Sequence, residues 1–145
     1  MTASNPAELK KQFVQQVKLR AYDDKYVDKD EELEILKSAL DNGIGLDAAR
    51  GVLMQVCETE GYVLESRVLT EVKDLIDTFA GNDGKIDERE FKDSVAMCKK
   101  RTEGKKTDLE CKRMVLVLID EHRLPVKTGM MSNWYKKARK DVGLA

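Results

Sequence analysis

Histidine is almost missing from this chain: among 145 residues only His122 is found. That excludes a multi-histidine metal centre and leaves any cysteine–histidine nucleophile pair dependent on one residue. Cys111 lies about three helical turns upstream of it on one helical stretch, so the two cannot meet. Cysteine is scarce as well. Cys57, Cys98 and Cys111 are odd in number, widely spaced and set inside helical patterns, which reads as buried thiols rather than a zinc site. A glycine-rich phosphate loop is absent, because Gly43-Ile44-Gly45 has neither a flanking strand nor a further glycine. No catalytic constellation remains, and the chain is not expected to be an enzyme.

Long apolar runs are missing too. The longest, residues 114–119, is far too short to span a bilayer, and the N-terminal MTASNPAELKK holds no signal-peptide core, so a cytoplasmic location is expected. The formal net charge is only -1, with a pI near 6.0, which gives no general attraction to nucleic acid or anionic lipid. Only two prolines interrupt the chain, and 41% hydrophobic with 37% charged residues suits a helical protein with a charged surface. At this length a single domain over residues 1–145 is expected.

What is present is a pair of acidic turns. Asp24-Lys25-Tyr26-Val27-Asp28-Lys29-Asp30-Glu31 and Asp83-Gly84-Lys85-Ile86-Asp87-Glu88-Arg89-Glu90 both read D-x-x-[VI]-D-x-x-E. The offset of 59 between them continues upstream, matching Leu9 to Val68, Phe13 to Val72, Val17 to Ile76 and Ala21 to Ala80. These positions are four apart and share one helix face. Downstream, Leu36 matches Val95. An offset of 63 then pairs Val52 with Val115, Leu53 with Leu116 and Val56 with Ile119, so residues 99–106 read as a longer surface loop in the second copy.

The pattern predicts an all-α fold of about seven helices built from two pseudo-repeats, about 7–61 and 63–122, followed by a C-terminal helix over about 131–142. Asn5, Pro6 and Glu8 start the first helix as a capping box. The second runs from about Asp28 to Asp41 with Leu33, Leu36 and Leu40 inward. The third follows Gly45, burying Leu46, Ala49, Val52, Leu53 and Val56, and the fourth runs from about Val63 to Phe79. Asp87 opens the fifth, Thr107 and Glu110 box the sixth, and 124–126 breaks the chain. Trp134 is placed to dock the last helix.

Each turn supplies carboxylates at a helix start, the donor type a hard cation needs. Set against the EF-hand loop with Gly84 at the sharp turn, Asp83 falls fifth, Asp87 ninth and Glu90 twelfth, but Phe79 and Gly81 occupy the first and third positions. The first turn places Lys25, Arg20 and Tyr22 at the glycine, first and third positions. Neither is a standard high-affinity calcium loop. Asp28 with Glu31 and Asp87 with Glu90 also read as ordinary capping pairs, each stabilising its helix by about 1 kcal/mol.

The repeated D-G-x-I-D-x-x-E pattern at a helix junction of an all-helical chain resembles the TerB family of tellurite-resistance-associated proteins and the wider TerB-like domains. The resemblance covers roughly residues 7–122. It implies a module of two helical pseudo-repeats, metal-holding acidic residues in the turns, and a role in bacterial stress responses beside membrane-associated partners. Carried onto this sequence, the metal candidates are Asp83, Asp87 and Glu90 in the second turn and Asp24, Asp28 and Glu31 in the first. The cofactor implied is a weakly bound divalent cation, calcium or magnesium.

Two other expectations stand beside it. One is a metal-free adaptor that recognises a protein partner through a groove between the repeats or through Lys136, Lys137 and Lys140 of the basic C-terminal helix. The other is a nucleic-acid accessory protein using the lysines of 99–106 and of the Trp134 segment, a reading that the near-zero net charge disfavours.

Overall fold

A computed structural model describes residues 6–128 and 133–144, apart from the side chains of Pro6, Asn82 and Asp83. Among the described residues the fold is all-α, with seven helices, one two-residue parallel strand pair and one isolated parallel bridge. The order is α1 (Pro6–Ala21), β1 (Tyr26–Val27), α2 (Lys29–Asp41), α3 (Leu46–Glu60), β2 (Val63–Leu64), α4 (Glu65–Asp83), α5 (Glu88–Arg101), α6 (Asp108–Glu121) and α7 (Trp134–Asp141). The chain divides into two compact units, Met1–Ser66 and Arg67–Ala145. No described helix is long and apolar enough to cross a membrane.

In the first unit, α1, α2 and α3 surround a core that includes Phe13, Val17, Ile35, Leu36, Leu53 and Cys57. Burial at four-residue spacing, Phe13 to Val17 to Ala21, turns one stripe of α1 inward, as the sequence pattern predicts. β1 and β2 close the unit: Tyr26 pairs with Val63 and Val27 with Leu64, all four buried. The Tyr26 hydroxyl donates to Glu65 Oε2 at 2.6 Å, tying β1 to the first residue of α4.

The second unit repeats this layout with its own residues. Val72 and Ile76 of α4 are fully buried, as are Val115 and Leu116 of α6. Ile86 pairs in parallel with Val126: the Ile86 N–H donates to Pro125 O at 3.0 Å and the Lys127 N–H to Ile86 O at 2.7 Å. Its buried hydroxyls are satisfied locally, Thr102 Oγ1 donating to Cys98 O and Ser94 Oγ to Glu90 O.

The two copies correspond more closely than residue type suggests. The N-caps Asp28 and Asp87 keep the offset of 59, whereas the N-caps Gly45 and Thr107 differ by 62. Burial follows that 62 through the third helix of each copy, pairing Ala49 with Cys111, Leu53 with Val115, Val56 with Leu118 and Cys57 with Ile119. Left-handed Gly61 and Arg123 then match, and so do Leu64 and Val126, the partners of Val27 and Ile86. The downstream offset is therefore 62, not 63.

Several sequence expectations are corrected. Leu33 and Leu40 are 67% and 49% exposed, and α2 instead buries Ile35, Leu36 and Ala39. Leu46, at the first turn of α3, is 38% exposed. Val63 and Leu64 form β2 rather than opening the fourth helix, and α4 runs on to Asp83. Asn5 and Met131, expected near the ends of the first and last helices, lie outside the described residues.

Candidate functional site

Backbone geometry fixes the acidic turns first. Lys25 (φ 56°) and Gly84 (φ 79°) are both left-handed and occupy equivalent places. Lys25 N–H donates to Ala21 O at 2.8 Å and Gly84 N–H to Ala80 O at 2.6 Å, each ending the preceding helix. The glycine of the motif thus serves a helix terminator, where it avoids the cost of roughly 1–2 kcal/mol that a side chain incurs in this region. Lys25 bears that cost in the first turn.

The carboxylates follow. Asp28 Oδ1 accepts from the Glu31 N–H at 2.8 Å while Glu31 Oε1 accepts from the Asp28 N–H at 3.2 Å. In the second turn Asp87 Oδ1 accepts from the Glu90 N–H at 2.8 Å and Glu90 Oε1 from the Asp87 N–H at 3.0 Å. Both are complete capping boxes. Asp24 Oδ1 accepts from the Tyr26 N–H at 3.1 Å, which tightens the first turn. Asp83 ends α4, and its side chain lies outside the described residues.

The donor set can be set against a cation's needs. Calcium takes six to eight oxygens. Each turn brings three candidate carboxylates, and every one whose side chain is described already uses an oxygen on backbone amides. Among the described residues no group of three His, Cys, Asp or Glu is arranged to hold a metal ion. The first turn does gather its charges: burial raises the Glu31 carboxyl, the Asp28 backbone hydrogen bond opposes this, and the charges of Asp28 and Asp24 add to the rise.

The branched residue of each turn anchors it, through a partner that sequence reasoning missed. Val27 and Ile86 are fully buried and pair with chain that follows the third helix of the same copy. A signal for this was the repeat itself, since carrying the alignment past α6 at the right offset lands Leu64 on Val126.

Lys136, Lys137 and Lys140 of α7 are exposed. The other side of α7 docks on the second unit. Trp134 Nε1 donates to Lys127 O at 2.9 Å, and its ring stacks 5.2 Å from Phe91 at 37°. The Tyr135 hydroxyl donates to Asp120 Oδ1 at 2.7 Å, Arg139 pairs with Asp120 Oδ2, and Arg113 donates to Val142 O at 2.7 Å. Burial pushes the Asp120 carboxyl up, but the hydrogen bonds from Arg139 and Tyr135 outweigh it and hold the carboxyl below its ordinary value. All three thiols are buried, and at Cys57 burial, aided by the Glu32 charge, pushes the thiol up to about 11, away from a reactive thiolate.

The first unit also carries an apolar cleft of about 300 Å³. Leu9, Lys10 and Phe13 of α1, residues 43–45 of the α2–α3 connection, and Ala48 and Val52 of α3 line it. It sits where the glycines around Ile44 leave the turn without side-chain bulk. Of the large exposed apolar side chains among the described residues, Leu19, Tyr22, Leu33, Leu40, Leu46 and Met54 belong to the first unit and Leu109 to the second.

Compared with known protein families, with curated proteins and with solved structures, the chain matches none.

Proposed function

We propose that this chain is a non-enzymatic helical interaction module, with its recognition surface on the first unit and its acidic turns acting as helix caps. The carrying observation is the uneven distribution of large exposed apolar side chains among the described residues, six on the first unit against one on the second. Exposed apolar side chains carried mostly by one unit give a partner apolar surface to bury there. The TerB resemblance supplies a setting: a cytoplasmic accessory in a stress response such as tellurite resistance, working against a membrane-associated complex. Lys136, Lys137 and Lys140 offer that complex a second, basic contact.

Photo-crosslinking amino acids placed singly at Leu33, Leu40, Met54 and Leu109 test the reading in cells. A discrete protein adduct from the first-unit positions, identified by mass, with none from Leu109, is the expected result. Equal background at all four positions refutes it.

A second reading is weak calcium or magnesium binding at the turns. It is favoured by the raised Glu31 carboxyl, since a cation would relieve the repulsion from Asp28 and Asp24. In the second turn Asp83, Asp87 and Glu90 are the corresponding groups. A cation at ten times its dissociation constant would stabilise the fold by about 1.4 kcal/mol, which raises Tm by roughly 3–6 °C. The capping reading expects no such rise at millimolar calcium or magnesium. A rise abolished by Asp24→Asn with Glu31→Gln establishes the cation reading instead.

A further inference from the structure

The second unit covers a helix face that the first unit leaves open. On α6, Arg113, Leu116 and Asp120 share one face by their spacing. Arg113 and Asp120 hold α7 by hydrogen bonds, and Leu116 between them is fully buried. Phe91 of α5 completes the dock under Trp134. At the offsets that equate the two copies, these four positions are Gly51, Met54, Glu58 and Glu32. The first unit has no described helix in the place of α7, and Met54, at the position of buried Leu116, is 45% exposed.

Two further observations bear on what fits there. Gly51 lies inside α3, where glycine costs about 1 kcal/mol relative to alanine. Its φ is not left-handed, and a Cβ built on it meets nothing within 4 Å. Nothing within the fold therefore calls for glycine, whereas the close approach of a second backbone would. The rim carries acidic groups: Glu32 is close enough to α3 for its charge to raise the Cys57 thiol, and Glu58, next to Cys57 on α3, holds the position that Asp120 has in the second copy. In the second unit the segment held on this face carries Lys136, Lys137, Arg139 and Lys140 behind an aromatic anchor.

We propose that the open α2–α3 face, centred on Met54 and Gly51, is the docking site for a basic amphipathic helix with an aromatic anchor, supplied by a partner protein. It is the counterpart in trans of what α7 does in cis. The inference rests on the reading of the chain as an interaction module and gives that module's partner a chemistry.

The test uses the full-length ¹⁵N-labelled chain and a synthetic peptide spanning residues 133–144, with a second peptide in which its lysines and arginines are replaced by glutamate. Amide shifts at Glu32, Gly51, Met54 and Glu58 with the basic peptide, absent with the acidic one and weakened by added salt, are expected. Glu32→Lys with Glu58→Lys should weaken binding at least tenfold. Gly51→Leu, which keeps the helix while filling the flat spot, should do the same with no loss of helical circular dichroism. Shifts confined to the second unit, wild-type affinity in these variants, or no shifts at millimolar peptide overturn the proposal. Binding of the acidic peptide alone to the first unit overturns it while leaving the interaction-module reading intact. A concentration-dependent dimer that buries Gly51 and Met54 without peptide overturns the partner assignment in favour of a second copy.

Discussion

Exchanging the residues at the two left-handed positions separates backbone geometry from cation chemistry. Gly84 has φ 79° and Lys25 φ 56°, each ending a helix with one hydrogen bond. A side chain at such a position costs about 1–2 kcal/mol, and replacing glycine by alanine returns about 0.4–1 kcal/mol through a less mobile unfolded chain. Gly84→Ala is therefore expected to lose about 1 kcal/mol. Steric clash adds nothing, because a Cβ there meets nothing within 4 Å. Lys25→Gly runs the same arithmetic backward and should gain roughly 0.5–1 kcal/mol. Gly84→Asn should fall between wild type and Gly84→Ala, since asparagine tolerates this region.

Urea unfolding measures all three variants, with Trp134 fluorescence reporting the second unit and circular dichroism both units; shifts in midpoint at constant slope give the differences. A neutral Gly84→Ala, or a Lys25→Gly that destabilises, would refute the helix-terminator account. A calcium response gained by Lys25→Gly would show instead that the motif's glycine serves a cation loop.

Asp28→Ala and Asp87→Ala should each cost about 1 kcal/mol in thermal or urea unfolding through the lost cap, with no accompanying change in cation response. Trp134→Ala should cost about 3–5 kcal/mol and release α7, seen as faster amide exchange in residues 134–141. Because the folded Asp120 carboxyl titrates below 3.8, its contribution is present above that value and lost as pH falls through its folded pKa. Trp134 fluorescence should accordingly report docked α7 at neutral pH and release on the acid side, and Asp120→Asn should remove the dependence. Glu31 has the opposite sign: raised above 4.5, it favours the fold at low pH and loses that contribution as pH climbs through its folded value. Glu31→Gln, which can still close the box, should be the more stable form at pH 7 and indistinguishable from wild type near pH 4, by thermal melts.

The helices and their starts were legible because their causes are local. An Asp at a helix start with Glu three residues on closes a capping box through local contacts alone, and the spacing of Phe13, Val17 and Ala21 gives α1 one inward stripe. α2 was harder, because Leu33, Ile35, Leu36, Ala39 and Leu40 offer two overlapping stripes. Buried Val27 and the Asp28 cap set how the helix enters, and that rotation selects Ile35, Leu36 and Ala39. The β pairings escaped notice since a two-residue strand has no periodicity and its partner lies beyond two helices. Of the candidate site, the capping role of the carboxylates was readable from spacing. The apolar cleft and the open α3 face were not, because both are defined by what fails to cover them.

The pairing of Val27 with Leu64 and of Ile86 with Val126 has a bearing on how such a chain can evolve. A copy whose two ends are stitched directly to each other is indifferent to the length of what runs between the stitches. The second copy has used that indifference: its connection from α5 to α6 spans residues 102–107, where the first copy needs only 42–45. Length is tolerated there and forbidden in the acidic turn, where one added residue would move Val27 or Ile86 to the wrong face of its strand. Insertions that distinguish descendants of this architecture should therefore collect between the second and third helices of each copy, and foreign segments grafted into the protein will be accepted most readily at that same place.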